Sequence, residues 1–364
     1  MTDHLAFTLA LHRAAAPDCS RNACWSPYSV ASALGLVTAG ARGATRDELV
    51  SLLGDVGALR TLLTGATTLG PITYGAEEPV FAVANTLWAD DSIDIRDSFA
   101  DELARWVRGS VRTAPFRNAP GKARDLINRD VAETTRDLIP ELLPDGAIHP
   151  DTVAALVNAL YLKCGWIARF IEGATTPRPF HAPGGTVEVP TMELSESIGY
   201  AHTGGWQVVR LHAVGGVEAV ILLPDNDLTE AEPSLTAAAL ARLLAAPRST
   251  QVNLRLPKVN VSLQAELTPP LKKLGVRTVF TDDADLGLIS PHPLAVQAVF
   301  HESVLRLDEQ GFEGAAATAV MLRLTSMQPY VEPIQVDVDR PFLLLIRHTA
   351  TGAVYFLARI TNPS

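Results

Sequence analysis

The sequence predicts an α+β fold, and three observations carry that expectation. Helical periodicities crowd the first half of the chain, while apolar and alternating runs typical of strands fill the second. The two kinds of segment are not interleaved as they would be in a doubly wound parallel sheet. Apolar residues make up 47% of the 364 and charged residues 19%, which supplies a large core and too little charge for a disordered chain. At roughly 150 residues per domain this length admits two or three domains, or one large fold. No internal repeat and no long linker divides it.

The elements follow in order. Leu5, Leu9 and His12 recur at helical spacing and Pro17 lies just beyond, so the chain opens with an amphipathic helix. Asp3 and His4 precede this apolar run and Arg13 follows it, the wrong charge order for a secretory signal. A cytoplasmic location is expected for the chain as given, and a secreted one if a signal has been removed. Ser26-Pro27 starts a second helix, with Ser as cap, Pro in the first turn, and Val30, Ala33, Leu34 and Val37 as its apolar face. Gly40 ends it. Thr45 is expected to cap a third helix reaching Leu53, with Glu48 completing a capping box. Val80 to Trp88 reads as a strand, and Asp97 to Val107 and Lys122 to Thr135 as helices. Val153 to Lys163 is apolar on both faces, as a central buried strand is. Glu218 to Leu223 ends at the turn signal Pro224-Asp225-Asn226. Gln251 to Leu256 and Gln335 to Asp339 alternate, and Val354 to Ile360 is a last apolar strand.

Several function classes drop out. Forty acidic against thirty basic residues give a net charge of −10, which argues against a nucleic-acid surface. No run of 18 apolar residues occurs, so no membrane-spanning helix is expected. Cys19, Cys24 and Cys164 make no disulfide framework or zinc site; Cys19 and Cys24 are close enough in sequence to pair, but buried free thiols are the preferred reading. Gly35 to Gly40 carries two glycines of a phosphate loop, yet Ala41 stands where Lys is required. His301-Glu302 begins like a zinc-protease helix and lacks the second His, and there is no G-x-S-x-G elbow. An enzyme is not expected, nor a cofactor or a metal.

Asp308 to Tyr330 stands out. Ala-rich as it is, it reads either as a surface helix running into a loop or as a strand with period two. In the second reading Phe312, Gly314, Ala316, Thr318, Val320 and Leu322 share one face, while Glu313, Ala315, Ala317, Ala319, Met321 and Arg323 share the other. Both charges fall on the same side, so the uncharged face can enter a protein interior.

At this point the chain resembles the serpin family, the serine protease inhibitor fold, as a bacterial-type member, over nearly its whole length. Glu309-Gln310-Gly311 followed by Glu313 and Ala315, Ala316, Ala317 and Thr318 is similar to the hinge ahead of the family's reactive-centre loop. Asn22, Ser26, Pro27 and Ser29 resemble its N-F-x-x-S-P-x-S segment, and Leu156 to Lys163 with Trp166 and Phe170 its central strand and breach. Pro190-Thr191-Met192, Leu256-Pro257-Lys258, Gly275, Phe280, Ala284-Asp285-Leu286, His301, Arg340-Pro341-Phe342 and Asn362-Pro363 match further stations in order.

The resemblance implies a single domain over residues 1–364, with three sheets, about nine helices and a reactive-centre loop at about 309–333, metastable in its native form. It implies a monomer that inhibits a serine protease as a suicide substrate, the cut loop inserting into the main sheet before deacylation. It places Ser26, Ser29, Asn158 and His301 at a shutter beneath that sheet and Trp166 at the breach, where a satisfied core histidine and an ordinary core aromatic are the plain alternatives. The reactive bond falls at Thr325-Ser326, with Leu324 and Met327 as neighbouring candidates, which suits elastase-, chymotrypsin- or subtilisin-type proteases. The hinge departs from the family pattern at Phe312 and Gly314: a ring there must be housed in a packed interior, at roughly 1–3 kcal/mol if overpacked, and Gly314 makes room. A non-inhibitory member acting in binding or as a chaperone is the alternative. The stretch from Leu53 to Val80 is short and offers only Arg60 as positive charge, so activation by a polyanion is not expected.

Overall fold

The computed structural model describes residues 2–70, 78–103, 106, 109–149, 152–312 and 332–363. Among them are nine helices: α1 Thr2–Ala15, α2 Pro27–Gly40, α3 Gly43–Leu53, α4 Val56–Gly65, α5 Asp97–Leu103, α6 Pro120–Thr135, α7 Leu228–Ser234, α8 Ala237–Ala245 and α9 Thr268–Lys273. The strands are β1 Ala23–Trp25, β2 Val80–Asp90, β3 Gly109–Ala114, β4 Ala154–Gly165, β5 Thr176–Ala182, β6 Gly185–Thr203, β7 Trp206–Ala213 and β8 Val217–Pro224. They continue with β9 Arg248–Pro257, β10 Val259–Glu266, β11 Ala298–Leu307, β12 Gly311–Phe312, β13 Ile334–Asp337, β14 Phe342–His348 and β15 Val354–Ile360. The α+β expectation holds, with six helices before residue 136 and eleven strands after residue 175.

α2 forms for the reasons its sequence supplies. The Ser26 hydroxyl accepts the Ser29 amide at 3.2 Å and Pro27 occupies the first turn. Every residue of the helix except Ala39 is buried. It packs against β2 and β4 of one sheet and β15 of the other. α3 departs from expectation. It begins two residues before Thr45, at Gly43, with Arg42 as a cap that offers no side-chain bond. Thr45 and Glu48 are used across the fold instead: the Thr45 hydroxyl accepts the Asp285 amide at 3.0 Å, and the Glu48 carboxylate accepts the amides of Arg277 and Thr278. A distant segment with unsatisfied amides outcompetes the local capping box.

Among the described residues, hydrogen bonding joins the strands into two sheets, not the three that the resemblance implies. The cause is β6, nineteen residues long: it pairs with β5, then with β9, then with β7, and so carries one ladder into the next. The nine-stranded sheet runs β1-β15-β14-β8-β7-β6-β9-β13, with β5 beside β6; the six-stranded sheet runs β10-β11-β12-β4-β2-β3. One face of the six-stranded sheet, with Leu156, Leu160 and Cys164 of β4 and Leu305 and Leu307 of β11, joins α2 in the largest core cluster. The other face, with Val157 and Ala159, is covered by Ile127 and Val131 of α6 and by Ile139, Leu142 and Leu143 after it. Cys24 and Cys164 are buried free thiols, whereas Cys19 is free and only partly covered.

Candidate functional site

A seam runs down the six-stranded sheet between β11 and β4. The two strands pair directly, in parallel, only from Ala298↔Ala155 to Glu302↔Ala159. At the other end β12 lies between them, Phe312 opposite both Leu307 and Cys164, and Gly311 opposite Gly165. In the interval, Ser303–Arg306 pair with β10 and Leu160–Lys163 with β2, and among the described residues neither stretch has a ladder partner on the seam side. No strand separates β11 from β4 below Glu302, so the sheet is closed there.

Register places three polar residues in a row across the closed part. Asn85 of β2 faces Asn158 of β4, and Asn158 faces His301 of β11. All three are buried, as are Ser26, Ser29 and Ser32 of the α2 region below. His301 Nε2 accepts the Ser26 amide at 3.1 Å, and an amide can only donate, so Nε2 is unprotonated. Burial pushes the imidazole down to about 3, which keeps it neutral, so its proton sits on Nδ1 and is donated to Asn158 Oδ1 at 3.1 Å. The Asn158 amide group donates to the Ser29 carbonyl at 2.7 Å and to Asn85 Oδ1, and Asn85 Nδ2 donates to the Ser32 hydroxyl at 2.7 Å. Trp25 stacks on the imidazole, ring centroids 6.1 Å apart. The sequence-predicted Ser26, Ser29, Asn158 and His301 are thus brought together. Ser29 takes part through its backbone, while its hydroxyl has no partner. Asn85 and Ser32 complete the row and were not anticipated. An Asn in the middle of an apolar strand is the signal that could have found the first.

Above the seam, Trp166 ties the two sheets together. It bridges to Ala213 of β7, its amide donates to the Gln310 carbonyl at 2.9 Å, and its indole donates to the Asp308 carbonyl at 2.8 Å. The turn from β11 to β12 is closed by the Asp308 carboxylate, which accepts the amides of Gln310 and Gly311 at 2.9 and 3.2 Å. Gly311 is required by close approach: a Cβ there would lie 2.1 Å from the Cys164 carbonyl oxygen. Glu309 is clamped by Lys258 at 2.8 Å and by the Thr175 hydroxyl at 2.5 Å. Burial pushes its carboxyl up, but these donors outweigh burial and hold it below the usual glutamate range. Lys258 and Thr175 act here without having been singled out for it.

Phe312 answers the concern about a bulky ring in the hinge. It is 1% exposed, with its ring edge-on to Trp166 at 4.6 Å. The ring is housed while the seam below is closed. Glu313, Gly314, Ala315, Ala316, Ala317, Thr318, Leu324, Thr325, Ser326 and Met327 lie outside the described residues. Between Leu53 and Val80 the chain forms α4, where Arg60 pairs with Glu102 at 3.2 Å.

Comparison with known proteins agrees with this geometry. The family model described as "Serpin (serine protease inhibitor)" matches residues 2–363. Among curated relatives, Iripin-2 of Ixodes ricinus is 32% identical over 371 residues, covering 98% of this chain and 91% of its own. Serpin-Z2A of Oryza sativa subsp. japonica is 30% identical over 394 residues, covering 95% and 92%. A solved thyroxine-binding globulin complex with thyroxine superposes with a TM-score of 0.87 at 22% identity, over 100% of this chain and 99% of that one, a likeness of fold. These relatives are from a tick and a plant, and they do not support the narrower bacterial type. The match over nearly the whole chain is decisive at the level of family: this chain belongs to the serpins.

Proposed function

We propose that this protein is a suicide-substrate inhibitor of a serine protease, a single-domain monomer that traps the acyl-enzyme by inserting its cut reactive-centre loop, about residues 309–333, into the seam. One observation carries the reading: β12 already occupies the top of the seam, antiparallel to both β11 and β4. A chain continuing from Phe312 in that register would exchange the short parallel ladder for two antiparallel ones, each added bond worth roughly 1 kcal/mol net. Alternation from buried Phe312 would then send Gly314, Ala316, Thr318, Val320 and Leu322 to the core face. Thr318 lies six residues past Phe312; His301 and Asn158 lie six before Leu307 and Cys164, which face Phe312. The same register would therefore bring an inserted Thr318 between His301 and Asn158, and the row of Ser26, Ser29, Asn158 and His301 acts as the shutter that must part. Trp166 marks the breach where the strand starts, and Glu309 to Thr318 the hinge.

The residues around Thr325-Ser326, with Leu324 and Met327, suit proteases with apolar or small pockets. Incubation with elastase-, chymotrypsin- and subtilisin-type enzymes should give a covalent complex stable on a denaturing gel, and mass spectrometry of the released peptide should place the cut within Leu322 to Gln328. Cleavage with no complex for every enzyme, or cuts solely outside that window, would overturn the proposal. The alternative, a non-inhibitory member acting in binding or as a chaperone, draws support from the fold match to a globulin solved with thyroxine; it predicts cleavage without a complex.

A further inference from the structure

Glu302 takes no part in the polar row or the hinge. It follows His301 on β11, so its side chain leaves the opposite face of the sheet, the one covered by α6 and residues 136–149. Its rung partners are Ala159 on β4 and Gln264 on β10, and the Glu302–Ala159 rung is the last at which β11 and β4 pair. The side chain is half-buried, and its Oε2 is shut off from water with no hydrogen-bond partner. Gln264 does not serve it, because that amide donates to the carbonyls of Glu141 and Leu142.

The charges around it are committed elsewhere or distant along their strands. On the same face, β4 continues with Tyr161 and Lys163, β10 with Glu266 and β11 with Arg306. The covering segment brings Arg124, Arg136, Glu141, Asp145 and His149. Arg124 is held by Asp125, Glu141 and Asp145, and the Arg136 guanidinium lies over the Tyr161 ring. Burial is the sole cause that acts on the Glu302 carboxyl, and it pushes it up to about 7.

We infer that Glu302 is a charge-operated catch on the β11–β4 seam: neutral, it leaves the two strands at rest together, and ionised, its buried and unpartnered oxygen favours their separation. A carboxylate without a donor is stabilised by water, and water is brought to Oε2 when β11 moves off β4 or the covering segment lifts. The closed sheet binds this proton more tightly than the opened one. Its stability therefore falls as pH rises above the ordinary glutamate range, and the loss is complete above about 7. The inference concerns opening of the sheet and stands whether or not the loop inhibits a protease.

The test compares wild type with Glu302→Gln in the intact full-length chain. At about pH 8.5 the variant's thermal midpoint should exceed wild type by roughly 3 °C or more, and at about pH 4 the difference should largely vanish. Amide hydrogen exchange of wild type gives a second reading that needs no variant. Protection of Ala155–Ala159 should fall roughly tenfold between about pH 6 and pH 8 once intrinsic base catalysis is divided out. The same difference between the two proteins at both pH values, or corrected protection that does not change with pH, would overturn the inference.

Discussion

His301 Nδ1 lies 3.1 Å from Asn158 Oδ1, on neighbouring strands whose ladder ends one rung further on. This bond joins the two sides of the seam, and each partner is anchored away from it: His301 to the Ser26 amide, Asn158 to Asn85 and the Ser29 carbonyl. The donors run from His301 through Asn158 and Asn85 to Ser32, while the Ser26 amide donates into His301, so removing any member takes a bond from its neighbour.

Removing the centre of the row should cost most. Asn158→Ala takes from the buried His301 N–H its acceptor and removes one donor each from the Ser29 carbonyl and the Asn85 side-chain oxygen, a loss of roughly 1–3 kcal/mol for a buried group left unsatisfied. The expected loss in denaturant unfolding is about 3 kcal/mol or more. Asn253→Ala, which removes the exposed bond to Ser195, should stay within about 0.5 kcal/mol. Equal effects at the two sites would show that the row does not hold the sheet.

Acid should weaken the row. The folded-state pKa of His301 is depressed to about 3 from 6.5, so the unfolded chain binds the proton more tightly. The stability contribution is full above about 6.5 and is lost as pH falls towards 3. His301→Gln supplies one acceptor for Ser26 and one donor for Asn158 without titrating. The difference in unfolding free energy between wild type and variant should therefore change across this window in favour of the variant. A difference independent of pH between about 6.5 and 4 would contradict the neutral assignment.

Insertion itself is tested on the face that Phe312 defines. Thr318→Arg would place an unpaired charge beneath the sheet beside His301 and Asn158, at several kcal/mol. The variant should be cut at the same bond as wild type and released as a substrate, with little covalent complex. Ala317→Arg, one residue back on the opposite face, should retain much more inhibition. Equal complex yields for wild type and Thr318→Arg would show that the loop does not insert on that face.

Cutting the loop near Thr325 should raise heat resistance, because a new strand in the seam adds ladder bonds and buried area. Melting curves of nicked and intact protein would check this. An unchanged or lower midpoint for the nicked form would favour the non-inhibitory alternative.

Local pattern alone was enough for α2, β2, β4, β8 and β15. Each is a short segment whose caps or apolar run specify it without outside help, as Ser26-Pro27 does for α2. Resemblance added Ser26, Ser29, Asn158, His301 and Trp166. Long-range competition decided the rest. Glu48 left its capping box for the amides of Arg277 and Thr278, and β6 fused two expected sheets into one. Asn85, Ser32, Lys258 and Thr175 joined the site unannounced. Which residue meets which depends on the register between strands far apart in the chain: Asn85 and His301 flank Asn158 from 73 and 143 residues away. A shift of one residue would send each polar side chain to the other face. The sequence therefore determined which segments are helix or strand and which face of each is apolar, because those follow from neighbours a few residues away. Only the tertiary structure decided that three polar residues share a rung and that Phe312 is seated against Trp166, because strand pairing over such distances is set by the packing of the whole core.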